Sequence, residues 1–451
     1  MDLFGTAGIR GDARREVNPE LALTVGRAVG QDGATFVVGR DGRETGPALV
    51  AAVEAGLESA GADVVRLGVV PTPALAYASR GRRGVMVTAS HNPPDDNGIK
   101  LLVDGREYGY DAETAVEDRV EKHPSPVRWD EWGHARREDV LPAYREAVTA
   151  YASRYGGDPD GLTVAVDCGN GMANLATPQV LRALGASVRA LNANVDGHFP
   201  GRESKPTPES LRDLRAFVAD GDADVGIGHD GDADRVVVVD GDGEVVHEDT
   251  VLAILGDHYV RDSDADDPVV VTTPNASGRV DERVEAAGGR VERVRLGALH
   301  EGIAAAREGG TEDTRVVFAG EPWKHVHPAF GGWIDGVVSA AVLTRLFAAE
   351  SLPSRRDPIR ERPYRKESVA CDDEAKTRAM AALETALPER FPDADVDTDY
   401  GIRLDFPDGS WTLVRPSGTE PYVRVYAESD AVDDLLADVI DVVEDAIDAV
   451  A

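Results

Sequence analysis

One pattern occurs three times along the chain, and it limits the fold more than any other feature of the sequence. Each copy has a short apolar strand, a polar or glycine-rich turn, an amphipathic helix and a pair of small residues before the next strand. The copies begin at 36–39, 162–166 and 269–271. Short apolar strands that alternate with helices predict parallel sheets covered by helices. We therefore expect three similar α/β units in series.

The last part of the chain departs from this pattern. From about Tyr364 the apolar segments read as a strand, a helix, several strands and a final helix, which predicts a separate α+β unit. Proline, glycine or charge runs interrupt the periodicity near 142–160, 261–268 and 352–363. We expect linkers between domains in these segments.

The charge of the chain limits the kinds of partner it can bind and indicates the salt concentration in which it works. The net charge is −34, and Lys accounts for only six of the 48 basic residues. Such a composition predicts a protein kept soluble in concentrated salt, where charges are screened within about 3 Å at 1 M. It argues against nucleic acid or an anionic membrane as a partner. Two cysteines, no apolar run of about 18 residues and no signal peptide at the start predict a cytoplasmic protein.

The segment TASHNPPDDNGIK, residues 88–100, presents a hydroxyl group on a rigid loop. An apolar strand at 84–87 leads into a turn that carries Ser90 next to His91. The Asn97-Gly98 pair predicts a second turn before Lys100. A hydroxyl held between a histidine and a lysine in this way is typical of a nucleophile or a phosphoryl carrier.

The segment DGDADR, residues 230–235, is a candidate metal site. Asp230, Asp232 and Asp234 alternate, so in extended backbone they would point the same way. Two carboxylates about 4 Å apart repel by roughly 4 kcal/mol at an effective dielectric of 20, and Mg²⁺ removes that cost. The alternative is one more acidic string in a chain that has several. A dinucleotide fingerprint at Gly226, Gly228 and Gly231 is rejected, because a strand and not a helix follows.

Three further segments are ambiguous when each is taken alone. RPSGTEP at 415–421 suits a phosphate dianion through its guanidinium and hydroxyl groups, but it equally suits a polar hairpin turn. In GEPWKHVHP at 320–328, Glu321 could bind sugar hydroxyls and His325 could move protons, or the segment could be a surface loop with Trp323 packed on it. The loop 4–11 presents Arg10, which means little by itself.

Together, in this order, these segments resemble the α-D-phosphohexomutase family, which includes phosphoglucomutase, phosphomannomutase and phosphoglucosamine mutase. The likeness covers essentially the whole chain. It implies that Ser90 is phosphorylated in the resting enzyme, and that Asp230, Asp232 and Asp234, with an oxygen on Ser90, bind one Mg²⁺ per chain. The resemblance also implies further catalytic and substrate-binding residues, which are Arg10, His91, Lys100, Arg235 and His325 for catalysis, and Glu321, Arg415, Ser417, Gly418, Thr419 and Arg424 for the substrate.

The resemblance implies an α/β architecture, with three α/β domains on mixed, mostly parallel sheets and a C-terminal α+β domain around a central cleft. The expected domains are a phosphoserine domain at 1–141, a metal-binding domain at 155–258, a sugar-recognition domain at 262–355 and a phosphate-binding domain at 364–451. Family members commonly carry Glu-x-Ser-Gly in the sugar loop. Here Trp323 and Lys324 replace the serine and the glycine, which leaves the choice of sugar open.

The implied activity is a phosphohexomutase that interconverts the 1- and 6-phosphates of glucose or mannose. It would act through phosphoserine and a sugar 1,6-bisphosphate, which also serves as activator. Phosphoglucosamine mutase is the alternative within the family, and a phosphatase or a silent binding paralogue is the alternative outside it. The expected partner is a phosphosugar, with the chain as a monomer or small homo-oligomer.

Overall fold

The structure is a computed structural model that describes residues 3–5, 8–417 and 420–450. Contacts divide the chain into two compact units. Unit 1 consists of Met1–Glu248 and Trp323–Ser354, and unit 2 consists of Asp249–Pro322 and Arg355–Ala451. The four domain boundaries and the central cleft expected from the sequence stay predictions.

The first third of the chain folds around a mixed sheet. Its elements are β1 (Ile9–Asp12), α1 (Pro19–Gly30), β2 (Thr35–Arg40), α2 (Gly46–Ser59), β3 (Asp63–Val69), α3 (Thr72–Ala78), β4 (Arg83–Val87), β5 (Asp96–Val103), β6 (Arg106–Glu107), α4 (Tyr110–Glu121), β7 (Ala135–Arg137) and α5 (Leu141–Ala152). The strand order is β1-β5-β4-β2-β3-β7, in which β4, β2, β3 and β7 are parallel, β5 is antiparallel to both of its neighbours, and β1 therefore runs in the same direction as β4. The parallel strands confirm the first repeat, and the antiparallel β1–β5 pair carries Arg10 and Lys100.

Two expectations about this region are wrong. Asn97 and Gly98 lie inside β5 rather than in a turn, because the buried Asn97 amide donates to Thr45 Oγ1 at 2.9 Å and Gly98 is paired with Arg10. A side chain at Gly98 would come within 2.5 Å of the Thr88 carbonyl, so glycine is required there for close packing. Of the linker expected near 142–160, the residues up to Ala152 form the helix α5, since Pro142 falls in its first turn, where proline is tolerated.

The second repeat forms a four-stranded sheet. Its elements are β8 (Thr163–Asp167), α6 (Thr177–Ala183), β9 (Ser187–Leu191), α7 (Arg212–Phe217), β10 (Val225–His229), β11 (Val236–Val239) and α8 (Glu248–Asp262). The order is β11-β10-β8-β9, and only the β10–β11 pair is antiparallel. The entire β10–β11 pair is buried, which fits the apolar runs on both sides of the aspartate segment.

The third repeat is confirmed by a sheet with three neighbouring parallel strands. Its elements are β12 (Asp267–Thr272), α9 (Gly278–Ala286), β13 (Arg290–Arg293), α10 (Leu299–Gly309), β14 (Thr314–Glu321), β15 (Lys324–Val326) and α11 (Gly336–Ala349). The last two of these belong to unit 1, where α11 packs on α5, α6 and β11.

The C-terminal region has the expected α+β order. Its elements are α12 (Leu352–Arg356), β16 (Tyr364–Ala370), α13 (Asp373–Arg390), β17 (Asp395–Asp397), β18 (Ile402–Asp405), β19 (Trp411–Pro416), β20 (Tyr422–Glu428) and α14 (Val432–Asp448). The sheet is wholly antiparallel, in the order β16-β20-β19-β18-β17. Its apolar face packs against α13 and α14. Within the described residues, no helix has the length and apolar character needed to cross a bilayer.

Candidate active site

Ser90 lies on the loop that follows β4, at the carboxyl end of the parallel strands. Its side chain is fully buried, and its backbone is left-handed, with φ of 51°. The Ser90 amide donates to Thr88 Oγ1 at 2.9 Å. A non-glycine residue in this region costs about 1–3 kcal/mol, so the surrounding contacts must hold it there.

The three aspartates lie on the turn that joins β10 to β11. The expectation that extended backbone aligns them is wrong, because residues 230–235 fall between the strands and Ala233 has φ of 64°. The turn nevertheless brings Asp230, Asp232 and Asp234 together, with one carboxylate oxygen of each within 4.8 Å of the others. All three side chains are buried.

Ser90 and the aspartate turn are in direct contact, although 140 residues separate Ser90 from Asp230. Ser90 Oγ donates to Asp230 Oδ2 at 2.6 Å. Gly231 permits this approach, because a β-carbon there would lie 2.5 Å from the Ser90 carbonyl oxygen. The hydroxyl and the carboxylates therefore form one site within unit 1.

Burial and mutual repulsion set the charges of the aspartates. Burial, and then the charges of Asp234 and Asp232, raise the pKa of Asp230 well above its usual value. Burial acts in the same direction on Asp234, but the charges of Lys100, Arg235 and Lys324 outweigh it and lower the pKa of that carboxyl. Such a cluster of crowded carboxylates is stabilised by a cation.

The donor set fits a hard divalent cation. Three carboxylate oxygens are available, and oxygen is the ligand atom that Mg²⁺ prefers. Asp232 Oδ1 and Asp234 Oδ1 are buried, and neither has a hydrogen-bond partner among the described residues. Buried polar atoms nearly always have a hydrogen bond, so two buried carboxylate oxygens without one favour a role as metal ligands.

Lys100, on β5, reaches this cluster. Its Nζ lies 2.9 Å from Asp234 Oδ2 and 3.6 Å from Asp232 Oδ2, and its side chain is buried. Burial lowers the pKa of Lys100, but Asp234, Asp232 and Glu107 together raise it above its usual value. The Lys100 ammonium is thus held as a fixed positive charge beside the carboxylates.

Two contacts of this cluster were missed by the sequence analysis. Thr72, at the start of α3, donates through Oγ1 to Asp232 Oδ2 at 2.6 Å and through its amide to the Asp232 carbonyl at 3.0 Å. Glu107 Oε1 lies 3.6 Å from Lys100 Nζ. Neither residue belongs to a recognisable motif, because each acts through a contact between distant parts of the chain.

The structure also brings Arg10, His91 and Arg235 to the site. Arg235 Nε lies 3.7 Å from Asp230 Oδ2 and 3.8 Å from Asp234 Oδ1. His91 Nδ1 lies 3.3 Å from Ser90 Oγ. Burial, and then the charges of Arg235 and Arg10, lower the pKa of His91 to about 2. Arg10 Nε is buried and has no hydrogen-bond partner among the described residues, so it is available to an anion.

The start of the 323–328 segment is fixed to the aspartate turn. The Trp323 carbonyl accepts from the Val236 amide at 3.0 Å, and Lys324 pairs with Arg235 through a β-bridge. Trp323 has φ of 68°, and its ring packs on the apolar cluster of Leu211 and its neighbours. Trp323 therefore packs as a structural anchor of this segment.

Lys324 and His325 face opposite ways along β15, as neighbours in a strand must. His325 is buried, and its Nδ1 lies 3.0 Å from Ser339 Oγ on α11. Burial lowers the pKa of His325 to about 3. Lys324, on the other face, contributes to lowering the pKa of both His91 and Asp234, which places its charge near the reactive groups. The proton-moving role expected for His325 stays a prediction.

The remaining candidate residues lie in unit 2. Glu321 is buried, and its Oε2 accepts from the Gly297 amide at 3.1 Å. Arg415 and Arg424 are directly opposite each other across β19 and β20. The Nε atoms of both are buried and lack a hydrogen-bond partner among the described residues. Like charges placed opposite each other are destabilising, so this pair favours a bound anion.

The turn between these strands is held by Lys376, whose Nζ donates to the carbonyls of Ser417 and Glu420 at 2.8 and 2.5 Å. Ser417 Oγ accepts from the Glu420 amide at 3.2 Å. The other two residues expected here, Gly418 and Thr419, lie outside the described residues. The phosphate role of this turn stays a prediction.

Comparisons with known proteins agree with this arrangement. Family profiles described as phosphoglucomutase/phosphomannomutase match the chain over residues 1–126 for alpha/beta/alpha domain I, 142–243 for alpha/beta/alpha domain II and 368–446 for the C-terminal domain.

Relatives and solved structures extend the likeness to the whole chain. A phosphopentomutase from Thermococcus kodakarensis is 41% identical over 95% of this chain and 94% of its own. A probable phosphoglucosamine mutase from Methanopyrus kandleri is also 41% identical, with the same coverage. The crystal structure of a phosphoglucomutase/phosphomannomutase family protein from Burkholderia thailandensis has a TM-score of 0.86 at 27% identity, covering 99% of this chain and 97% of that one.

Proposed function

The chain belongs to the phosphoglucomutase/phosphomannomutase family, and from this premise we propose that it is a Mg²⁺-dependent phosphohexomutase acting on glucose or mannose phosphates. At the coarser level it is a phosphomutase, an isomerase that transfers phosphate within a sugar. The observation that carries the proposal is the 2.6 Å contact between Ser90 Oγ and Asp230 in the carboxylate cluster. This contact places the nucleophilic hydroxyl of Ser90 directly beside the carboxylates of the proposed metal site.

In the proposed reaction a sugar hydroxyl attacks the phosphorus of phosphorylated Ser90. A new P–O bond forms to the sugar oxygen, the bond to Ser90 Oγ breaks, and the proton of the sugar hydroxyl ends on Ser90 Oγ, which becomes a hydroxyl group again. Mg²⁺ held by Asp230, Asp232 and Asp234 would supply Lewis-acid stabilisation of the phosphoryl oxygens. The fixed charge of Lys100 neutralises the charge that develops as the phosphoryl group moves.

The sugar then carries two phosphates and must turn around so that its other phosphate faces Ser90. In the second half-reaction, that phosphate is transferred to the Ser90 hydroxyl, and the isomer leaves with the phosphoryl group that Ser90 first donated. We assign phosphate binding to the opposed Arg415 and Arg424 of unit 2, since guanidinium groups match phosphate oxygens. A sugar 1,6-bisphosphate would therefore phosphorylate a bare Ser90 and act as an activator.

Lys324 supports neutral sugars over amino sugars. Its charge adds to those of Arg10, Lys100 and Arg235 around His91 and Asp234. An ammonium group on the sugar would be repelled if it came within about 4 Å of Lys324, by roughly 4 kcal/mol at an effective dielectric of 20. The names of two relatives point to other substrates, since one is a probable phosphoglucosamine mutase, which is the alternative within the family, and the other is a phosphopentomutase.

The test is turnover of glucose, mannose, glucosamine and ribose 1-phosphates with Mg²⁺, KCl and glucose 1,6-bisphosphate. We expect isomer formation to be fastest with glucose or mannose 1-phosphate, and Ser90→Ala to abolish it. Lys324→Met should raise the relative rate with glucosamine 1-phosphate. If glucosamine or ribose phosphate is turned over much faster than either hexose phosphate by the unaltered protein, the choice of substrate is wrong.

Two other classes are separated by the same assay. Inorganic phosphate that appears faster than the isomer would identify a phosphatase, in which water takes the phosphoryl group from Ser90. Absence of any turnover would favour a silent binding paralogue. Intact-mass spectrometry gives an independent reading, because the proposal expects one phosphate mapped to Ser90.

A further inference from the structure

Arg43 is a buried arginine that the sequence motifs do not include. It follows β2, and its side chain is fully buried beside Asp41, with Nε donating to Asp41 Oδ2 at 3.0 Å. An arginine side chain has five N–H donors, and a buried one must find five acceptors or leave donors unpaired. The acceptors of the other four donors reveal what Arg43 does.

All four remaining donors go to backbone carbonyls of the Ser90 loop. Nη2 donates to the carbonyls of Ser90 and Asn92 at 3.0 and 2.7 Å. Nη1 donates to the carbonyl of Asp96 at 2.9 Å and to that of Pro93. The Arg43 guanidinium therefore donates to four carbonyls within a segment of seven residues, and each of its five donors has an acceptor.

A second path joins Asp41 to the other side of Ser90. Asp41 Oδ2 accepts from Thr88 Oγ1 at 2.7 Å, and Thr88 Oγ1 accepts from the Ser90 amide at 2.9 Å. The amide and the carbonyl of Ser90 are thus both tied to the Asp41–Arg43 pair. The left-handed backbone of Ser90 is unfavourable by itself, and these hydrogen bonds stabilise it.

The aspartate-bearing part of unit 1 covers this cluster. The Arg43 guanidinium lies 5.2 Å from the ring centre of Phe199, and a β-carbon on Gly197 would lie 2.8 Å from the Arg43 α-carbon. Gly231 lies against both the Ser90 carbonyl and the Phe199 ring. Arg43 is therefore packed where the serine loop meets the aspartate turn.

We propose that Arg43, held by Asp41 and Thr88, is the positioning residue that aims Ser90 Oγ at the aspartate cluster for phosphoryl transfer. The inference rests on the proposed mutase function. Arg43 acts through the backbone of the Ser90 loop and does not touch the substrate. A displacement of about 1 Å at a reacting atom can cost about a hundredfold in rate, so the loop geometry governs the chemical step.

Arg43→Lys tests the inference, because lysine keeps the charge but has three donors on one nitrogen and cannot reach four carbonyls. We expect kcat to fall about a hundredfold while KM for the sugar phosphate changes by less than about threefold. Phosphorylation of Ser90 by glucose 1,6-bisphosphate, followed by intact mass, should slow by a similar factor.

Arg279→Lys in unit 2 is the matched control. Arg279 is equally buried and pairs with buried Glu428 at 3.2 Å, but it belongs to no candidate site. We expect it to lower the melting temperature and leave kcat near the unaltered value. Folded Arg43→Lys with unaltered kcat and phosphorylation rate would overturn the inference.

Thr88→Val decides the question if Arg43→Lys does not fold. It removes only the hydroxyl that links Asp41 to the Ser90 amide, and we expect kcat to fall about tenfold at constant KM. An unchanged kcat would overturn the inference. Failure of the proposed function is recognised separately, because the unaltered protein would then form no isomer from any sugar phosphate.

Discussion

At the scale of single residues, the site depends on how closely two loops approach each other. Ser90 and Asp230 meet at 2.6 Å, and the residue that permits this is a glycine with no chemistry of its own. This contact also involves the buried aspartates, the positive charge of Lys100 and the left-handed backbone of Ser90. Small changes in the backbone there should affect chemistry more than stability.

Gly231→Ala should therefore impair activity. Its β-carbon would come within 2.5 Å of the Ser90 carbonyl, which is backbone and must shift. We expect kcat to fall at least about tenfold, because the serine and the carboxylates move apart. Gly309→Ala is the control, since nothing lies within 4 Å of a β-carbon there. Equal kcat for the two variants would show that the close approach is not needed.

At the scale of elements, β15 and the residue after it form a buried polar network with α11. His325 and His327 both reach Ser339 Oγ, at 3.0 and 2.9 Å. Asp335 caps α11 through the Val338 amide at 2.9 Å and accepts from Tyr144 at 2.8 Å. These contacts fix β15, and with it the direction of Lys324.

The buried His325 should make stability sensitive to acid. Its pKa is about 3 in the folded protein, below its ordinary 6.5. The unfolded chain therefore binds the proton first, so this contribution is complete above pH 6.5 and is lost as the pH falls toward 3. In urea unfolding, the stability difference between the unaltered protein and His325→Gln should shrink by up to about 1.4 kcal/mol per pH unit below that point.

A stability difference for His325→Gln that stays constant between pH 7.5 and pH 5 would contradict this prediction, because the buried ring would then titrate as it does in the unfolded chain.

The opposed positive charges of Arg415 and Arg424 on β19 and β20 favour a bound anion. Removal of one of two opposed guanidinium groups should relieve repulsion, so Arg415→Met should raise the melting temperature without phosphate. Inorganic phosphate should raise the melting temperature of Arg415→Met by less than it raises that of the unaltered protein, because the affinity for phosphate falls by about tenfold or more.

Thermal melts with and without phosphate, at constant KCl, measure both effects. Arg390→Met removes an exposed arginine of the same unit, paired with Asp438 at 2.7 Å, and should leave the phosphate-dependent rise intact. A full rise retained in Arg415→Met would argue against a phosphate site on this hairpin.

At the scale of the whole molecule, the dominant property is a net charge of −34. Self-repulsion of this size destabilises a compact state unless salt screens it. Exposed arginines form ion pairs such as Arg261 with Asp257 and Arg390 with Asp438, and such surface pairs are individually weak. A cytoplasmic location, a salt-rich environment and the oligomeric state all stay predictions.

Stability should rise between 0.1 and 3 M KCl, because screening shortens the range of repulsion to a few ångströms. Melting temperatures across this range are the measurement. Sucrose strengthens burial without screening charge, so it separates the two causes. A melting temperature that does not change with KCl, or one that sucrose at low salt raises as much as 3 M KCl does, would contradict adaptation to salt.

The sequence by itself determined the α/β repeats, the α+β ending, the family and most groups that carry the chemistry. Strand and helix periods are local, and Ser90, Lys100 and the aspartates stand in segments whose residue types suit one chemistry. Their contacts were foreseeable only through resemblance, since 140 residues separate Ser90 from Asp230.

Only the tertiary structure decided how those groups are held. Asn97-Gly98 forms strand because β1 pairs with it, and Trp323 packs as an anchor because an apolar cluster lies beneath it. Arg43 and Thr72 gained their roles from buried acceptors supplied by distant segments. Such partners leave no local pattern, because a buried hydrogen bond depends on which atoms meet in space and not on their order in the chain.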